Sequence, residues 1–412
     1  LDIRSMLLSN PRFQRAVMVI LDLLPSVKAT HEFREINLPY MTKHTNVSYP
    51  YWANDRAVVL GQNITYAEKT MQEAQSLKLE DIIKYNVSTL YGRNQRGKGR
   101  TLIAISRIAN LVLNQLESEE IDAYKQKSPL FARYNDDIYL KQVMIEMTEY
   151  AMKNGLLVAN YDYKGYDYHV AEQWLILLGA MSMFKANGKR SKDIAFYRAI
   201  MSLKTWLVDG LRGEIIEIFG RIFSGYIDTN RGGGIINATN ATDALMELNP
   251  THSDIMYRAR YPMLVMGDDL FFLYNGKFFS AKSFVEAMKK RGFTMEENKY
   301  AFGSFFLQYR LYRKDDKWVM IYPWTRVLRS MLFKETGKGL GPAGWILAVW
   351  QQAYKLIEDP KYLSIVINIM APLDSLKLGI DLTVDEILEM VRKEDEEAGK
   401  TSTGKVKRRT TS

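Results

Sequence analysis

Cysteine is absent from the 412 residues, which excludes disulfides, thiolate nucleophiles and thiolate metal sites together. Histidine is nearly as scarce: His31, His44, His169 and His252 are the whole set, too scattered to suggest an imidazole cage. A metal here would have to be a hard cation on carboxylates, magnesium or manganese. No stretch approaches the roughly eighteen uninterrupted apolar residues of a membrane span. The first residues lack the basic start and long apolar core of a secretory signal. With Leu1 in place of an initiator Met, the chain reads as a processed or trimmed piece.

The composition that remains is that of a folded globular protein: hydrophobic residues make up 47% and charged residues 25%, enough for a large buried core. A formal charge of +9 favours a polyanionic partner. The 25 tyrosines serve equally as stacking surfaces for bases or as core.

Tyr261–Tyr274 organises the rest. Two β-prone apolar runs flank Gly267-Asp268-Asp269, which predicts a hairpin. Adjacent carboxylates at its tip repel each other unless a cation sits between them; an ordinary Asp-rich surface turn is the plainer alternative. A buried strand over 156–161 ends in Asp162-Tyr163-Lys164-Gly165-Tyr166-Asp167, where Asp167 serves equally as a cap for a helix over 169–183. Set side by side, the two tips would offer three carboxylates to a pair of divalent ions. Such a pair activates an attacking oxygen and stabilises a leaving one in phosphoryl displacement.

Cations for a polyphosphate come from Arg93, Arg96, Lys98, Arg100 and Arg107. Gly92 to Lys98 fits a phosphate-cradling loop until Gly99, which stands where Ser or Thr would hold magnesium. The segment therefore reads as a basic arm entering a strand over 101–106, with a solvated loop as the alternative. Ser224-Gly225, Thr229 and the run Gly232-Gly233-Gly234 lead through Asn237 into an apolar helical pattern ending at Leu248. Small residues there let backbone approach a ligand closely, although the glycines alone would suit a flexible linker. Lys299, beyond the hairpin, is a candidate proton donor.

Elsewhere the pattern predicts a helix over 3–24 broken at Asn10-Pro11, helix over 65–90, mostly helix over 107–155, and helix over 189–213. Residues 214–223 read as strand or helix, and 281–291 as a helix ended by Gly292. Strands over 304–312 and 318–322 flank a charged turn, followed by helices over 325–334, 343–358, 361–370 and 384–393. From Glu394 the chain is polar throughout and reads as disordered. Without repeats or long linkers, this describes an interleaved α+β body with a helical C-terminal part.

Taken in order, these motifs resemble those of viral RNA-dependent RNA polymerases over residues 45–312. Asp162 to Asp167 is similar to the first palm motif in its DYxGYD form. Ser224-Gly225, Thr229 and Asn237 resemble the second motif, with the wider spacing of partitivirus and picobirnavirus enzymes. Met266 to Asp269 resembles the third. The basic segment 97–103 resembles the finger motif that meets nucleotide phosphates. Asn298-Lys299 and Phe305 to Tyr309 resemble the fourth and fifth. Residues 45–52 resemble the template-entry motif, with Ser48 where Gly is usual.

The resemblance implies a closed right-hand α+β fold with an antiparallel palm sheet and a helical thumb. It divides the chain into an N-terminal region and fingers (1–157, basic motif near 93–107), palm (158–170), fingers insertion (171–213), palm (214–322), thumb (323–392) and a disordered basic tail (393–412). It implies RNA-directed RNA polymerase activity, with Asp162, Asp268, Asp269 and the Tyr163 carbonyl around magnesium, for which manganese can substitute. Lys98, Arg100 and Arg107 would receive the triphosphate. Asp167, Ser224, Gly225, Thr229 and Asn237 would read the ribose, and Lys299 would protonate pyrophosphate. The implied partners are RNA template and product, NTPs and a viral capsid, without a membrane span, inside a virion or in host cytoplasm. A reverse transcriptase is the nearest alternative. It would usually carry a bulky aromatic sugar gate and an aromatic-x-Asp-Asp turn, where this chain has Asp167 with Ser224 and Asn237, and Met266. A non-catalytic RNA-binding viral protein is the other alternative.

Overall fold

The structure is a computed structural model that describes residues 2–33, 46–95, 98–134, 136–210, 212–220, 222, 228–295, 301–332 and 352–378. Ser224, Gly225, Asn298, Lys299, most of the helix expected over 343–358, the helix expected over 384–393 and the basic tail lie outside the described residues. The chain clusters into two compact units, one of residues 1–92, 101–134 and 149–303, the other of residues 93–100, 135–148 and 304–412.

The N-terminal break falls where the sequence places it: α1 (Ile3–Ser9) ends and α2 (Pro11–Leu23) begins at Asn10. The Asn10 side chain accepts from the amides of Arg12 and Phe13 at 3.1 and 3.2 Å, satisfying two of the orphan donors of a helix start. A Thr65–Glu68 capping box opens α3 (Tyr66–Ser76). The helix expected to reach residue 90 stops at Ser76. After a 3-10 helix (Leu79–Tyr85), β1 (Val87–Gln95) leaves as a strand followed by β2 (Lys98–Ile105). Tertiary pairing overrides the helical pattern, because Val87, Ser88 and Thr89 find parallel partners in Trp206, Leu207 and Val208.

Helices α4 (Arg107–Lys127) and α5 (Asp137–Lys153) follow, then β3 (Leu157–Tyr161), α6 (Tyr166–His169), α7 (Glu172–Lys185) and α8 (Lys189–Leu203). The helix expected over 189–213 is cut at Leu203, and a hairpin of β4 (Lys204–Asp209) and β5 (Glu214–Phe219) replaces its end. Thr205, Leu207 and Asp209 are buried at alternate positions, the two-residue period of a strand rather than a helix.

The remaining elements of this unit are α9 (Thr229–Leu248), α10 (His252–Arg258), β6 (Met263–Met266), β7 (Asp269–Tyr274), α11 (Ala281–Lys290) and the short β8 (Ala301–Phe302). Four strands form a sheet in the order β6-β7-β3-β8, antiparallel throughout. Helix α9 packs on β6, β7, α2 and α11. Tyr161, Phe272 and Phe284 meet in a fully buried aromatic cluster, with Tyr161 and Phe284 centroids 4.8 Å apart. Truncating one such ring typically costs about 3–5 kcal/mol, so the sheet that carries the acids rests on a stiff base.

In the second unit, the strand expected over 304–312 is split into β9 (Phe305–Phe306) and β10 (Tyr309–Lys314). Between them Leu307 and Gln308 have φ of +51° and +72°, so the chain reverses at a tight turn that hydrophobicity alone conceals. β11 (Lys317–Ile321) completes this sheet, and α12 (Trp324–Leu332) and α13 (Pro360–Leu378) follow. Trp324 and Tyr362 stack at 5.8 Å, and Glu358 accepts from the Met320 amide at 2.7 Å and pairs with Lys141.

Candidate active site

The sheet register brings the two acidic stretches together. The β3–β7 ladder pairs Tyr161 with Leu270 at its last step, so the next residue on each strand is Asp162 on one side and Asp269 on the other. The β6–β7 ladder closes at Met266 and Asp269, leaving Gly267-Asp268 as a two-residue hairpin turn. Of those two residues Gly267 alone has positive φ, +60°, the conformation a type II′ turn asks of its first central residue. Asp268 is exposed at the tip, while Asp162 and Asp269 are half-buried.

Beyond β3 the chain is held by a short side contact. Tyr163 bridges Met295 and the Lys164 amide donates to Thr294 at 2.9 Å. Gly165 then takes a left-handed conformation and starts α6, with Asp167 in its first turn. Although Asp167 as a residue is exposed, its carboxyl is partly desolvated by the protein beside it. That desolvation, followed by the negative charge of Asp268, pushes its pKa up to about 6. The charge of Asp268 also adds to burial in raising the hydroxyl pKa of Tyr163 and Tyr166. The negative charge of Asp268 is thus felt by Asp167, Tyr163 and Tyr166 together, and a cation beside it would relieve that charge.

The third component is α9, and the structure corrects the reading of its start. Gly232, Gly233 and Gly234 lie inside the helix rather than in a turn or linker. Each costs about 1 kcal/mol of helix propensity, and close packing explains Gly232 and Gly234. A Cβ on Gly232 would lie 2.7 Å from Leu178, and one on Gly234 would lie 3.0 Å from Phe131. A Cβ on Gly233 would lie 3.6 Å from the Gly267 Cα, so the first turns of α9 run directly against the acidic hairpin turn. Tyr166 donates to the Gly233 carbonyl at 2.7 Å.

Asn237 lies two helical turns after Thr229 and is fully buried. Its Oδ1 accepts from the Tyr163 hydroxyl at 2.7 Å, and its Nδ2 donates to the carbonyls of Gly267 and Asp269 at 3.0 and 3.3 Å. These partners differ from the ribose-reading set that the resemblance implies. Thr229 is half-buried as the first residue of α9. Sequence reasoning took only the carbonyl of Tyr163 and overlooked its hydroxyl. It named Gly233 within a run that allows close backbone approach, but not that the acidic hairpin turn is what approaches it.

The expected cationic residues are placed less completely. Lys98 and Arg100 lie on β2, described by their backbone only. Arg107 opens α4, with its guanidinium 3.5 Å from Asp55. Nearby, Ser48 adopts φ +59°, and its hydroxyl is 2.8 Å from that of Thr89. A serine in the left-handed region is strained by roughly 1–2 kcal/mol where glycine is not.

Among the described residues no three His, Asp or Glu side chains close into a cage that could hold a metal alone. The donor chemistry still fits magnesium or manganese: carboxylates of two neighbouring strand ends in a negative field. Magnesium commonly completes its shell with substrate phosphates and water rather than with a protein cage.

No protein-family model and no curated protein matches the chain. Solved structures do. An insertion-loop deletion mutant of the RNA-dependent RNA polymerase of a human picobirnavirus aligns at TM-score 0.68 and 15% identity, covering 98% of this chain and 84% of that one. The corresponding human picobirnavirus polymerase aligns at TM-score 0.67 and 14% identity, covering 97% and 82%. A sicinivirus RNA-dependent RNA polymerase aligns at TM-score 0.66 and 12% identity, covering 97% and 90%. With its acid-bearing strands brought side by side, this chain has the fold of the viral RNA-dependent RNA polymerases.

Proposed function

We propose that the chain is an RNA-directed RNA polymerase, adding NTP nucleotidyl units to an RNA 3′-hydroxyl under template direction in viral replication and transcription. The observation that carries this reading is the register placing Asp162 beside the Asp268-Asp269 turn, within a fold otherwise seen in such polymerases. In the reaction the 3′-oxygen bonds to the α-phosphorus, its proton leaves, and the bond to the pyrophosphate oxygen breaks.

Asp162, Asp268, Asp269 and the Tyr163 carbonyl would hold magnesium, or manganese in its place; when bound, such ions neutralise charge on the reacting oxygens. Lys98 and Arg100, with Arg107, offer charge to the triphosphate. Asp167, Thr229, Ser224 and Gly225 would read the sugar, and Lys299 would return a proton to pyrophosphate. The palm comprises 158–170 and 214–322, the thumb 323–392, and the fingers the N-terminal region and the 171–213 insertion. RNA and NTPs are the partners, a viral capsid is a further one, and the site of action is a virion interior or host cytoplasm.

The test is incorporation of labelled NTPs and dNTPs on defined RNA and DNA templates with magnesium or manganese. NTP incorporation on RNA, falling at least about 100-fold in Asp162→Asn or Asp268→Asn while RNA binding persists, is the expected result. Preference for dNTPs would identify a reverse transcriptase. Full activity in either variant would overturn the assignment.

A further inference from the structure

The β3–β7 and β6–β7 ladders of the acid-bearing sheet stop short of Asp162 and Asp268. The last pairs are Tyr161 with Leu270 and Met266 with Asp269, so neither Asp162 nor Asp268 is itself a paired residue of these two ladders. Asn237 occupies the place where the ladders stop. Tyr163, which it binds through Oδ1, directly follows Asp162; Gly267 and Asp269, which it binds through Nδ2, flank Asp268 on either side. The orientation of the amide follows from these partners, because carbonyl oxygens only accept and so must meet the NH2 end.

We propose that Asn237 is a positioning residue, anchored by Tyr163, that cross-ties the end of β3 to the acidic hairpin turn and so sets the spacing of Asp162 and Asp268. The anchor is itself rigid: the Tyr163 ring packs on Tyr166 at 4.8 Å and on Phe293 at 5.7 Å. Both Nδ2 protons are committed to carbonyls, so Asn237 could not donate to a ribose hydroxyl without breaking the tie. With the residue 0% exposed, the second lone pair of its Oδ1 is shielded from a ligand. This role differs from sugar recognition, and it rests on the polymerase reading only for the identity of the reaction.

The experiment compares the full chain with Asn237→Ala and Tyr163→Phe, the second retaining the ring and losing only the hydroxyl. Mn2+ binding to the free protein is read by electron paramagnetic resonance. RNA synthesis is read as the magnesium concentration for half-maximal rate and as the NTP-to-dNTP ratio. Residues that orient metal ligands typically contribute 10–100-fold to affinity. Asn237→Ala is expected to weaken Mn2+ binding about 10-fold or more and to raise the magnesium requirement in step. Tyr163→Phe should shift both in the same direction by less, with the NTP-to-dNTP ratio unchanged in each.

Wild-type Mn2+ affinity in both variants overturns the proposal, as does a wild-type chain that binds no Mn2+. Loss of ribose preference in Asn237→Ala at unchanged Mn2+ affinity would return Asn237 to sugar reading. If Asn237→Ala does not fold, Tyr163→Phe decides. If the wild-type chain makes no RNA, the polymerase reading fails, and the Mn2+ arm still decides the cross-tie.

Discussion

Asp167 and Asp268 come from segments a hundred residues apart, yet the charge of one is felt by the other. Asp268→Asn should therefore lower the Asp167 pKa from about 6, while the burial contribution keeps it above an ordinary carboxylate. A carbon-13 titration of the side-chain carboxyls reads this directly, and an unmoved Asp167 would contradict the geometry. The hairpin at Gly267-Asp268-Asp269 was legible in the sequence, because two apolar β-prone runs flank a glycine-led turn. The acids alone would equally suit a surface turn, and only their order with the other motifs set them apart. The partners of Asn237 were not legible. They depend on how far α9 advances past the hairpin turn, which spacing along one chain does not specify. Burial alone governs His252, whose pKa it holds down at about 4. The unfolded chain, with an ordinary value near 6.5, takes up the proton first. Stability should be fully present above pH 6.5 and fall as pH drops toward 4, by about 3 kcal/mol in total. Denaturant titrations across that range should show the loss, and His252→Gln should remove most of it.

At the scale of elements, α9 is the strut on which the site depends. Beneath its first turn lies a buried ionic cluster. Arg231 meets Asp228, Glu117 and Glu120 at 2.6, 3.0 and 3.1 Å, and Arg198 meets Glu117 and Glu120 at 2.7 and 2.5 Å. Burial holds the Glu117 carboxyl well above its usual pKa against the pull of Arg231. Such a cluster is weak evidence of net stabilisation, but removing one member strands the rest in a dry interior. Arg231→Ala should therefore destabilise the protein by about 3–5 kcal/mol, read as a shift of the urea midpoint; a near-neutral result would mean that water reaches the cluster. The α7–α8 contact is equally close, since a Cβ on Gly179 would lie 2.5 Å from that of Ala199. Gly179→Ala should cost about 1–3 kcal/mol through overpacking in the same assay. Helix α9 also shows why the glycine run misled a reading of the sequence. Helix propensity argues against three consecutive glycines, whereas the approach of Leu178 at Gly232 and of Phe131 at Gly234 leaves little room for a side chain at those two. The break at Asn10-Pro11 was legible for the opposite reason, since capping is a local interaction. β1 and β4 were missed because their strand form rests on pairing with each other and with β2 and β5, which the pattern of one segment does not show.

For the molecule as a whole, the order of motifs carried more information than any motif alone. Identity to the solved polymerases is 12–15%, yet acids spread over more than a hundred residues converge at one end of one sheet. The positive charge of the chain, +9, belongs at this scale too. If Lys98 and Arg100 contact phosphates, RNA affinity should fall steeply with salt. Each alanine substitution should then reduce the magnitude of the logarithmic salt slope by about 1, uniformly across RNA sequences. An unchanged slope would leave those residues out of the nucleic-acid contact.

The central claim is that Asp162 and Asp268 serve one metal-dependent reaction. The most direct measurement is nucleotide addition on a defined RNA template as a function of magnesium, for the wild-type chain and for Asp268→Asn. The account predicts synthesis that requires the cation and disappears with the Asp268 carboxylate while RNA stays bound. Synthesis by Asp268→Asn at the wild-type rate and magnesium dependence would contradict it.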